Sequence, residues 1–208
     1  MMYLGGLIYV VIRGAKPEDA EKAAELISMA WDELACIFAG SKDKEEVNKV
    51  ISTFCKEKNN RFSYEYIDVA EKDGKIAGLV LAFPAEKEMK LNIPIIKKLP
   101  YMYKRKISNY KEEVVPMLSS EEAKPGEYYI DSIAVHPNYR KNGLGKKLLM
   151  VARKRALKKG FKKVSLIVKP KNKGAIKLYK SSGYNMDGTV DMPSTDYYRM
   201  VKKYTVEV

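Results

Sequence analysis

The sequence contains few residues that could cross-link the chain or hold a metal. Its 208 residues include two cysteines, Cys36 and Cys55, and one histidine, His136. These three side chains cannot complete a four-ligand zinc site of cysteine and histidine, and two cysteines do not make a disulfide scaffold. We therefore expect no metal site. The scarcity of cysteine favours a reducing compartment, which predicts a cytoplasmic protein.

Long hydrophobic runs are also missing. The longest, Met1–Ile12, is well short of the roughly 20 apolar residues that a membrane-spanning helix needs. It has neither the basic segment nor the A-x-A cleavage site of a secretory signal peptide. We interpret Leu7–Ile12 as a first, buried strand, and we expect no membrane partner.

The overall composition is that of an ordinary folded protein. Apolar residues make up 46% of the chain and charged residues 31%, which excludes a disordered or collagen-like chain. A chain of this length can bury a sizeable core without metals or cross-links. We predict a single domain over residues 1–208.

Negative charge is absent from one long segment. Between Ser132 and Met186 there is no aspartate or glutamate, whereas sixteen lysines and arginines occur there; the formal net charge of the whole chain is +13. The rest of the chain is therefore slightly acidic, and the basicity belongs to this segment. It indicates either an anionic partner or a solvated basic face with no ligand.

Hydrophobic periodicity and turn residues predict one mixed α/β sheet of about seven strands flanked by helices. The predicted order is β-α-α-β-β-insertion-β-α-β-α-β-β. The strands are Leu7–Ile12, Tyr64–Ala70, Ile76–Phe83, Tyr128–Val135, Val164–Val168, Tyr184–Val190 and Tyr197–Tyr204, and the helices are Lys16–Ala39, Lys44–Lys58, Gly143–Lys159 and Lys173–Ser182.

The segment 85–126 interrupts this pattern before the fourth strand. It contains four prolines and a cluster of tyrosines and lysines at 101–106. A structureless connection of this length would be unusual, so we predict an insertion with short helices. Its tyrosines Tyr101, Tyr103 and Tyr110, together with Tyr128, either line a ligand pocket or pack the insertion onto the sheet.

The most informative stretch follows the fourth strand. Gly143 and Gly145 lie where a loop opens a helix. Glycines let the backbone approach an anion, and the first unpaired N–H groups of a helix point at it. The spacing does not match a Walker A loop, because Arg140 stands where the first glycine belongs, or a dinucleotide fingerprint, because Leu148 replaces its third glycine. Alone, this pattern fits a phosphate cradle or an ordinary strand-to-helix turn.

A second motif adds to the first. Arg140-x-x-Gly143-x-Gly145 is followed downstream by Asn172-x-x-Ala175-x-x-Leu178-Tyr179-x-x-x-Gly183-Tyr184. Together the motifs resemble those of the GNAT superfamily, the acetyl-CoA-dependent N-acetyltransferases. The match is strongest over residues 128–184, the predicted acetyl-CoA-binding core, and the element order from Leu7 to Val208 also fits. The resemblance implies the GNAT fold, whose mixed sheet is largely antiparallel. The insertion is the main departure.

The resemblance implies where acetyl-CoA binds. Backbone amides of the loop hold the pyrophosphate, the strand before it pairs with the pantetheine arm, and Asn172 contacts that arm. The implied cofactor-binding residues are Ile133, Ala134, Val135, Arg140, Lys141, Asn142, Gly143, Leu144, Gly145, Lys146, Asn172 and Tyr179.

The resemblance also implies that Tyr179 donates a proton to the departing thiolate; the alternative is a tyrosine packed in the core.

A lysine-like amine is mostly protonated at pH 7, and a carboxylate can remove that proton. Asp131 and Glu127 lie on the strand that leads to the loop, and their spacing puts both on one face. Asp131 is the favoured base or amine-orienting group, although a structural role or a strand bulge is the alternative. His136 is assigned a turn or surface role.

These observations predict an N-acetyltransferase that moves the acetyl group of acetyl-CoA to a primary amine, by direct attack in a ternary complex. The alternatives are a nucleic-acid-binding module that uses the basic segment, or a CoA-binding sensor without transfer. The acceptor, a small molecule or a peptide, stays open. The net charge disfavours a polycation unless Glu112, Glu113, Glu121 and Glu122 form an acidic pocket. The C-terminal strands are a candidate homodimer contact.

Overall fold

The computed structural model describes residues 10–103, 105, 107–192 and 196–204, which form a sheet with helices on both faces. The strands are β1 Val10–Gly14, β2 Ile67–Lys72, β3 Lys75–Pro84, β4 Tyr128–Val135, β5 Lys163–Val168, β6 Asn185–Val190 and β7 Tyr197–Lys203. The helices are α1 Ala20–Trp31, α2 Glu33–Ala39, α3 Lys44–Cys55, α4 Glu88–Lys98, α5 Ile107–Asn109, α6 Val115–Ser119, α7 Leu144–Lys158 and α8 Lys173–Ser181.

Within the described residues the sheet has seven strands in the order β1-β2-β3-β4-β5-β7-β6. Only the β4–β5 pair is parallel; the other neighbours are antiparallel. The predicted mixed, largely antiparallel sheet is thereby confirmed. Of the predicted first strand, residues 7–9 lie outside the described range. None of the described helices is long and apolar enough to cross a membrane.

The parallel pair β4 and β5 stays together over only part of its length. Tyr128, Tyr129 and Ile130 pair with Val164, Ser165 and Leu166. Beyond these pairs β4 continues along β3, and β5 continues along β7. A gap therefore opens in the middle of the sheet, bordered by residues 131–135 and 167–168.

A β-bulge lies at the point where the two strands part. On β3, the adjacent residues Leu81 and Ala82 pair with Ser132 and Ile130, so Asp131 is the extra residue of β4. The side chains of both Asp131 and Ser132 contact the indole of Trp31 in α1. Two consecutive side chains thus point to the α1 face, which an unbroken strand would not allow.

The core forms two clusters, one on each face of the sheet. The α1-side cluster packs α1, α2, α3 and the insertion against the sheet, and it includes Phe38, Phe62 and Phe83. The α7-side cluster packs α7 and α8 against the other face, and it includes Leu148 and Tyr179. The gap between β4 and β5 lies between these two clusters.

The predicted first helix is wrong in one respect, because it is divided in two. The helix is interrupted at Asp32, whose φ of +56° is rare for a residue with a side chain. Asp32 accepts a hydrogen bond from Lys169 at 2.9 Å. The ion pair ties the joint between α1 and α2 to the end of β5. Residues 64–66, predicted as strand, form a 3₁₀ turn that precedes β2.

The insertion is helical, as predicted. It contains α4, α5 and α6, with a π-helical stretch, Tyr110–Val114, between the last two. Burial of Leu91, Ile95 and Val114 packs it into the α1-side cluster. Lys104 and Lys106 of its basic cluster lie outside the described residues.

Gly78 lets β3 and β4 approach each other beside the gap. A Cβ atom at this position would lie 2.7 Å from the backbone oxygen of Ala134, which cannot move away as a flexible side chain would. We expect Gly78→Ala to lower the free energy of unfolding by about 1–3 kcal/mol. Chemical denaturation would measure this change.

Gly174→Ala is the matched control. The nearest atom to its added Cβ, the side-chain oxygen of Asn172, is 3.9 Å away, and alanine favours a helix over glycine by about 0.5–1 kcal/mol. Equal stability of the Gly78 variant and the parent would contradict the close-approach argument.

Candidate active site

The loop that precedes α7 presents a run of free backbone amides. Among the described residues, the N–H groups of residues 141–146 donate no hydrogen bond, and no side chain caps the start of α7. Lys147 is the first residue of this stretch whose N–H is paired, with the oxygen of Gly143 at 3.2 Å. Unpaired amides at the positive end of a helix dipole form a ready-made anion site.

The backbone conformation of this loop turns its amides to one side. Lys141 and Gly143 have φ values of +63° and +73°. Alternation of left-handed with right-handed residues produces a concave nest of N–H groups that binds anions. Lys146 and Lys147 occupy the first turn of α7, where positive charge opposes the helix dipole unless an anion is bound. The loop is therefore built for a polyanion.

Gly145 brings the anion loop close to α8. A Cβ atom there would lie 2.9 Å from a side-chain carbon of Leu178. The second glycine of the motif thus serves helix packing, whereas the first serves backbone conformation. Leu178 belongs to the second sequence motif, so the two motifs are in contact.

The gap between β4 and β5 exposes the backbone of β4. His136 donates its N–H to Ala77 of β3 at 2.9 Å. Because successive residues of a strand point their backbone groups to opposite neighbours, those of Ile133 and Val135 face the side from which β5 has departed. Arg140 Nε donates to the oxygen of Val135 at 3.0 Å, which links the gap to the anion loop. An extended ligand can pair here as a strand would.

Two residues of the second motif follow β5: Asn172 directly precedes α8, and Tyr179 lies within it. Asn172 caps α8, because its side-chain oxygen accepts the N–H of Ala175 at 3.0 Å. Its side-chain NH₂ group has no partner within the described chain. Tyr179 is 6% exposed, and its hydroxyl makes no hydrogen bond to any described residue. Burial raises the pKa of Tyr179, so the hydroxyl keeps its proton and can donate it.

Asp131 lies on the opposite, α1 side of the gap and is heavily hydrogen-bonded. One carboxylate oxygen accepts from Trp31 Nε1 at 3.2 Å and from the Ser132 hydroxyl at 2.8 Å. The other accepts from Arg61 Nε. A carboxylate offers about four acceptor positions, so these three bonds leave Asp131 one.

Arg61 gathers three carboxylates from separate parts of the chain, which we call the Arg61 cluster: Arg61, Glu88, Glu122 and Asp131. Glu122 accepts from Arg61 Nη2 and from the Tyr129 hydroxyl. Glu88 Oε1 lies 3.5 Å from Arg61 Nη1. The sequence analysis did not single out Arg61 or Glu88, since neither belongs to a motif. Glu122 appeared there only as part of a possible acidic pocket.

A small cavity of about 50 Å³ adjoins this cluster. Its walls include Trp31, Arg61, Glu122 and Asp131, together with Ile167 of β5. Asp131 and Ile167 are the first residues of their strands beyond the last β4–β5 pair. The cavity therefore lies at the α1 side of the gap.

Glu127 shares a face with Asp131 but is engaged elsewhere. Both of its carboxylate oxygens accept from Arg199 of β7, and it also accepts the N–H of Lys124 at 3.0 Å. Burial raises the pKa of Glu127, but these hydrogen bonds outweigh that effect and lower it overall. Glu127 anchors the beginning of β4 to β7.

The four tyrosines considered as a pocket lining mostly have structural contacts instead. Tyr103 donates its hydroxyl to the oxygen of Ile37 at 3.2 Å, and Tyr110 donates to Ile96 at 2.9 Å. Tyr101 is 91% exposed, and Tyr128 donates to Ala82 within the sheet. The packing alternative describes Tyr103, Tyr110 and Tyr128. His136 caps a 3₁₀ turn through Nδ1, which fits its assigned turn role.

The Arg61 cluster gives the fold a distinctive pH dependence. Burial raises the pKa of Glu88 to about 8; Arg61 opposes this shift, whereas Glu122 and Asp131 add to it. Between the ordinary pKa of a glutamate and pH 8, the folded chain retains a proton that the unfolded chain releases. The free energy of unfolding therefore falls as pH rises through this window.

We expect Glu88→Gln to remove part of that fall. From pH 5 to pH 8.5 the unfolding free energy of the variant should decline by at least about 1 kcal/mol less than that of the parent, since one pKa unit corresponds to about 1.4 kcal/mol. Urea denaturation over this range measures the difference, with exposed Glu86→Gln as control. Parallel pH profiles for parent and Glu88→Gln would contradict the assignment.

Known proteins share this arrangement of sheet, loop and helices. An N-acetyltransferase from Staphylococcus aureus Mu50 is 29% identical, with a TM-score of 0.74 over 92% of this chain and 100% of its own. A second solved acetyltransferase is 26% identical, with a TM-score of 0.70 over 94% of this chain and 100% of its own.

A more distant structure shares the fold. The PaiA N-acetyltransferase from Thermoplasma acidophilum, solved in complex with coenzyme A, is 18% identical, with a TM-score of 0.55 over 95% of this chain and 100% of its own. The family model described as the acetyltransferase (GNAT) family matches residues 24–184, a span that contains the anion loop, the gap and α8. The chain therefore belongs to the GNAT family of acetyltransferases.

Proposed function

We propose that this acetyltransferase moves the acetyl group of acetyl-CoA to a primary amine by direct attack in a ternary complex. The observation that carries the proposal is the run of free amides at residues 141–146, which opens beside a gap in the sheet. A diphosphate and an extended arm in one ligand match these two features. The GNAT family uses acetyl-CoA, whose shape meets that description.

The residues present fit this cosubstrate. The amides of residues 141–146 hold the diphosphate, with Arg140 fixing the loop to the end of β4. The backbone groups of Ile133 and Val135 pair with the pantetheine arm, and the free NH₂ group of Asn172 donates to it. When bound, acetyl-CoA supplies a thioester, which is an activated acetyl donor.

The proton balance of the reaction requires protein groups on both sides of the gap. An amine that arrives as an ammonium ion loses one proton before its nitrogen attacks the acetyl carbon. It loses a second proton as the new C–N bond becomes an amide, while the C–S bond breaks and the sulfur takes up one proton. One proton is released to solvent per turnover. The protein must therefore orient an amine on one side and supply a proton on the other.

Tyr179 supplies the proton to sulfur. Its hydroxyl is protonated at neutral pH, since burial raises its pKa, and no described residue competes for it. It lies in the α7-side cluster with Val168 of β5, so it approaches the gap from the face opposite the cavity. A phenol in this position acts as a general acid.

Asp131 orients the amine on the α1 side. Its one remaining acceptor position can take a hydrogen bond from an incoming nitrogen. We assign the acceptor contact to Asp131 rather than to Glu127, because Asp131 lines the cavity and Glu127 is held by Arg199.

The loop is tested by Gly143→Val. Gly143 has a φ of +73°, and nothing lies within 4 Å of an added Cβ, so the substitution strains the backbone without a clash. Relief of about 1–2 kcal/mol of strain turns the amides away, and we expect acetyl-CoA affinity to fall by about tenfold or more. Calorimetric titration measures this affinity.

Gly160→Val is the control, because Gly160 also has a positive φ in open space, but at the other end of α7. The Gly160 variant should lose stability and keep its affinity for acetyl-CoA.

A rise in melting temperature with an oligonucleotide, and none with acetyl-CoA, would instead support the nucleic-acid-binding alternative. Binding of acetyl-CoA without CoA release in the presence of any amine would support the sensor.

Tyr179→Phe tests the proton donor. We expect kcat to fall by about a hundredfold, while the dissociation constant for acetyl-CoA stays within about twofold, because only the hydroxyl is removed. Thiol release gives kcat, and calorimetry gives affinity. Tyr184→Phe, whose ring centroid is 6.1 Å away, should retain full activity. Equal losses of turnover and affinity in the Tyr179 variant would assign the hydroxyl to binding instead.

A further inference from the structure

The cavity at the α1 side of the gap has an unbalanced charge. Among the described residues, one cation lines it, Arg61, and this guanidinium already faces three carboxylates. Glu122 and Asp131 line the cavity itself. Even with Glu88 protonated at neutral pH, two carboxylates face one cation. A further positive charge would balance the site.

One buried carboxylate oxygen of this cluster also lacks a donor. Glu88 is 8% exposed, and its Oε1 atom accepts no hydrogen bond from any described residue. Its closest cationic atom, Arg61 Nη1, lies 3.5 Å away. Three carboxylates thus share one guanidinium whose nitrogens are divided among them. Glu88 does not line the cavity, so its effect on a ligand there is indirect: it draws part of Arg61 away from Glu122 and Asp131, which do line the cavity.

The nearest other cation cannot serve an anionic ligand. Lys169, at the end of β5, is 8% exposed and pairs with Asp32 at 2.9 Å and Glu33 at 3.3 Å. Its charge is therefore already engaged by these two carboxylates. Arg61 is the only cation among the described residues that line the cavity, so a ligand carboxylate placed there beside the reacting nitrogen would find no free cation.

The remaining walls fit an aliphatic chain with a cationic head. Ile167, Met117 and Leu34 are apolar, and Trp31 and Tyr197 present aromatic rings. Rings of this kind attract ammonium groups as well as apolar carbon. The volume of about 50 Å³ admits only the end of a ligand, which favours an unbranched carbon next to the nitrogen.

We infer that the acceptor is an unbranched aliphatic amine or diamine with no carboxylate next to the reacting nitrogen, and that Glu122 of the insertion, with Asp131, selects it. This inference rests on the proposed function and adds the substrate class. The α-amino group of an amino acid carries the excluded carboxylate, and a peptide N-terminus other than glycine carries a branched carbon at the same place.

The inference is tested with matched amines in the thiol-release assay. n-Butylamine and 1,4-diaminobutane are compared with 2-aminobutyrate, which carries a carboxylate next to nitrogen, and with sec-butylamine, which has the same branch without the charge. We expect kcat/KM for n-butylamine to exceed that for 2-aminobutyrate by about a hundredfold, because a buried unpaired carboxylate costs that much. sec-Butylamine should lie between them.

Binding without acetyl-CoA gives a second readout. Millimolar n-butylamine should raise the melting temperature of the protein, whereas 2-aminobutyrate should not. Glu122→Gln should abolish that shift and lower kcat/KM for n-butylamine by about tenfold, since a charged hydrogen bond is lost. Glu121→Gln, at the exposed neighbouring position, is the control and should behave as the parent does. Calorimetry with acetyl-CoA verifies that each variant is folded.

The outcomes separate the two proposals. Failure to bind acetyl-CoA would overturn the proposed function. Normal acetyl-CoA binding with no transfer to either alkylamine, or with 2-aminobutyrate or a peptide N-terminal amine preferred, would overturn the substrate class alone. An unchanged ratio of n-butylamine to 2-aminobutyrate in Glu122→Gln would remove Glu122 from the selection.

Discussion

The candidate active site depends on the parting of β4 from β5 in the middle of the sheet. Three residue pairs join these strands, and the Asp131 bulge begins where the pairing stops. Bulges bend a strand and increase its twist, which carries β4 away along β3 while β7 holds β5 in place. Unpaired strand edges are normally a liability. Here they lie inside the sheet, where only a narrow extended ligand can reach them.

The gap between β4 and β5 also connects the two faces of the sheet. The phenol of Tyr179 belongs to the α7-side cluster, whereas the cavity and the Arg61 cluster belong to the α1 side. A closed sheet would separate them completely. Because the sheet is open at this point, the gap lies between the phenol of Tyr179 on one face and carboxylates on the other.

Local patterns made the anion loop and the order of elements predictable. Gly143 has a left-handed conformation, and Gly145 allows Leu178 to approach. Both requirements select glycine, so the sequence shows two glycines close together in one motif. Periodicity likewise located α3, β3, β4, α7 and α8 to within a few residues. The insertion was expected to be structured because of its length, and its prolines indicated that its helices would be short.

The acceptor side was not predictable in this way. Arg61, Glu88 and Glu122 come from three separate segments, and only the folded chain brings them to Asp131. The break at Asp32 gave no signal either, because apolar spacing continues from α1 into α2 and the strained backbone is supported by a distant lysine. Of the four insertion acids considered, Glu122 enters the cluster, whereas Glu113 pairs with Arg105 at the surface.

The division of charge between the two faces has a consequence for how ligands arrive. The lysines and arginines of α7 and its loop create a positive field on one face, while the excess carboxylates lie on the other. An anion that diffuses toward this molecule is therefore drawn to the face that carries α7 and its loop. Added salt screens this attraction, whereas the carboxylates are buried and act only on a ligand that has already entered.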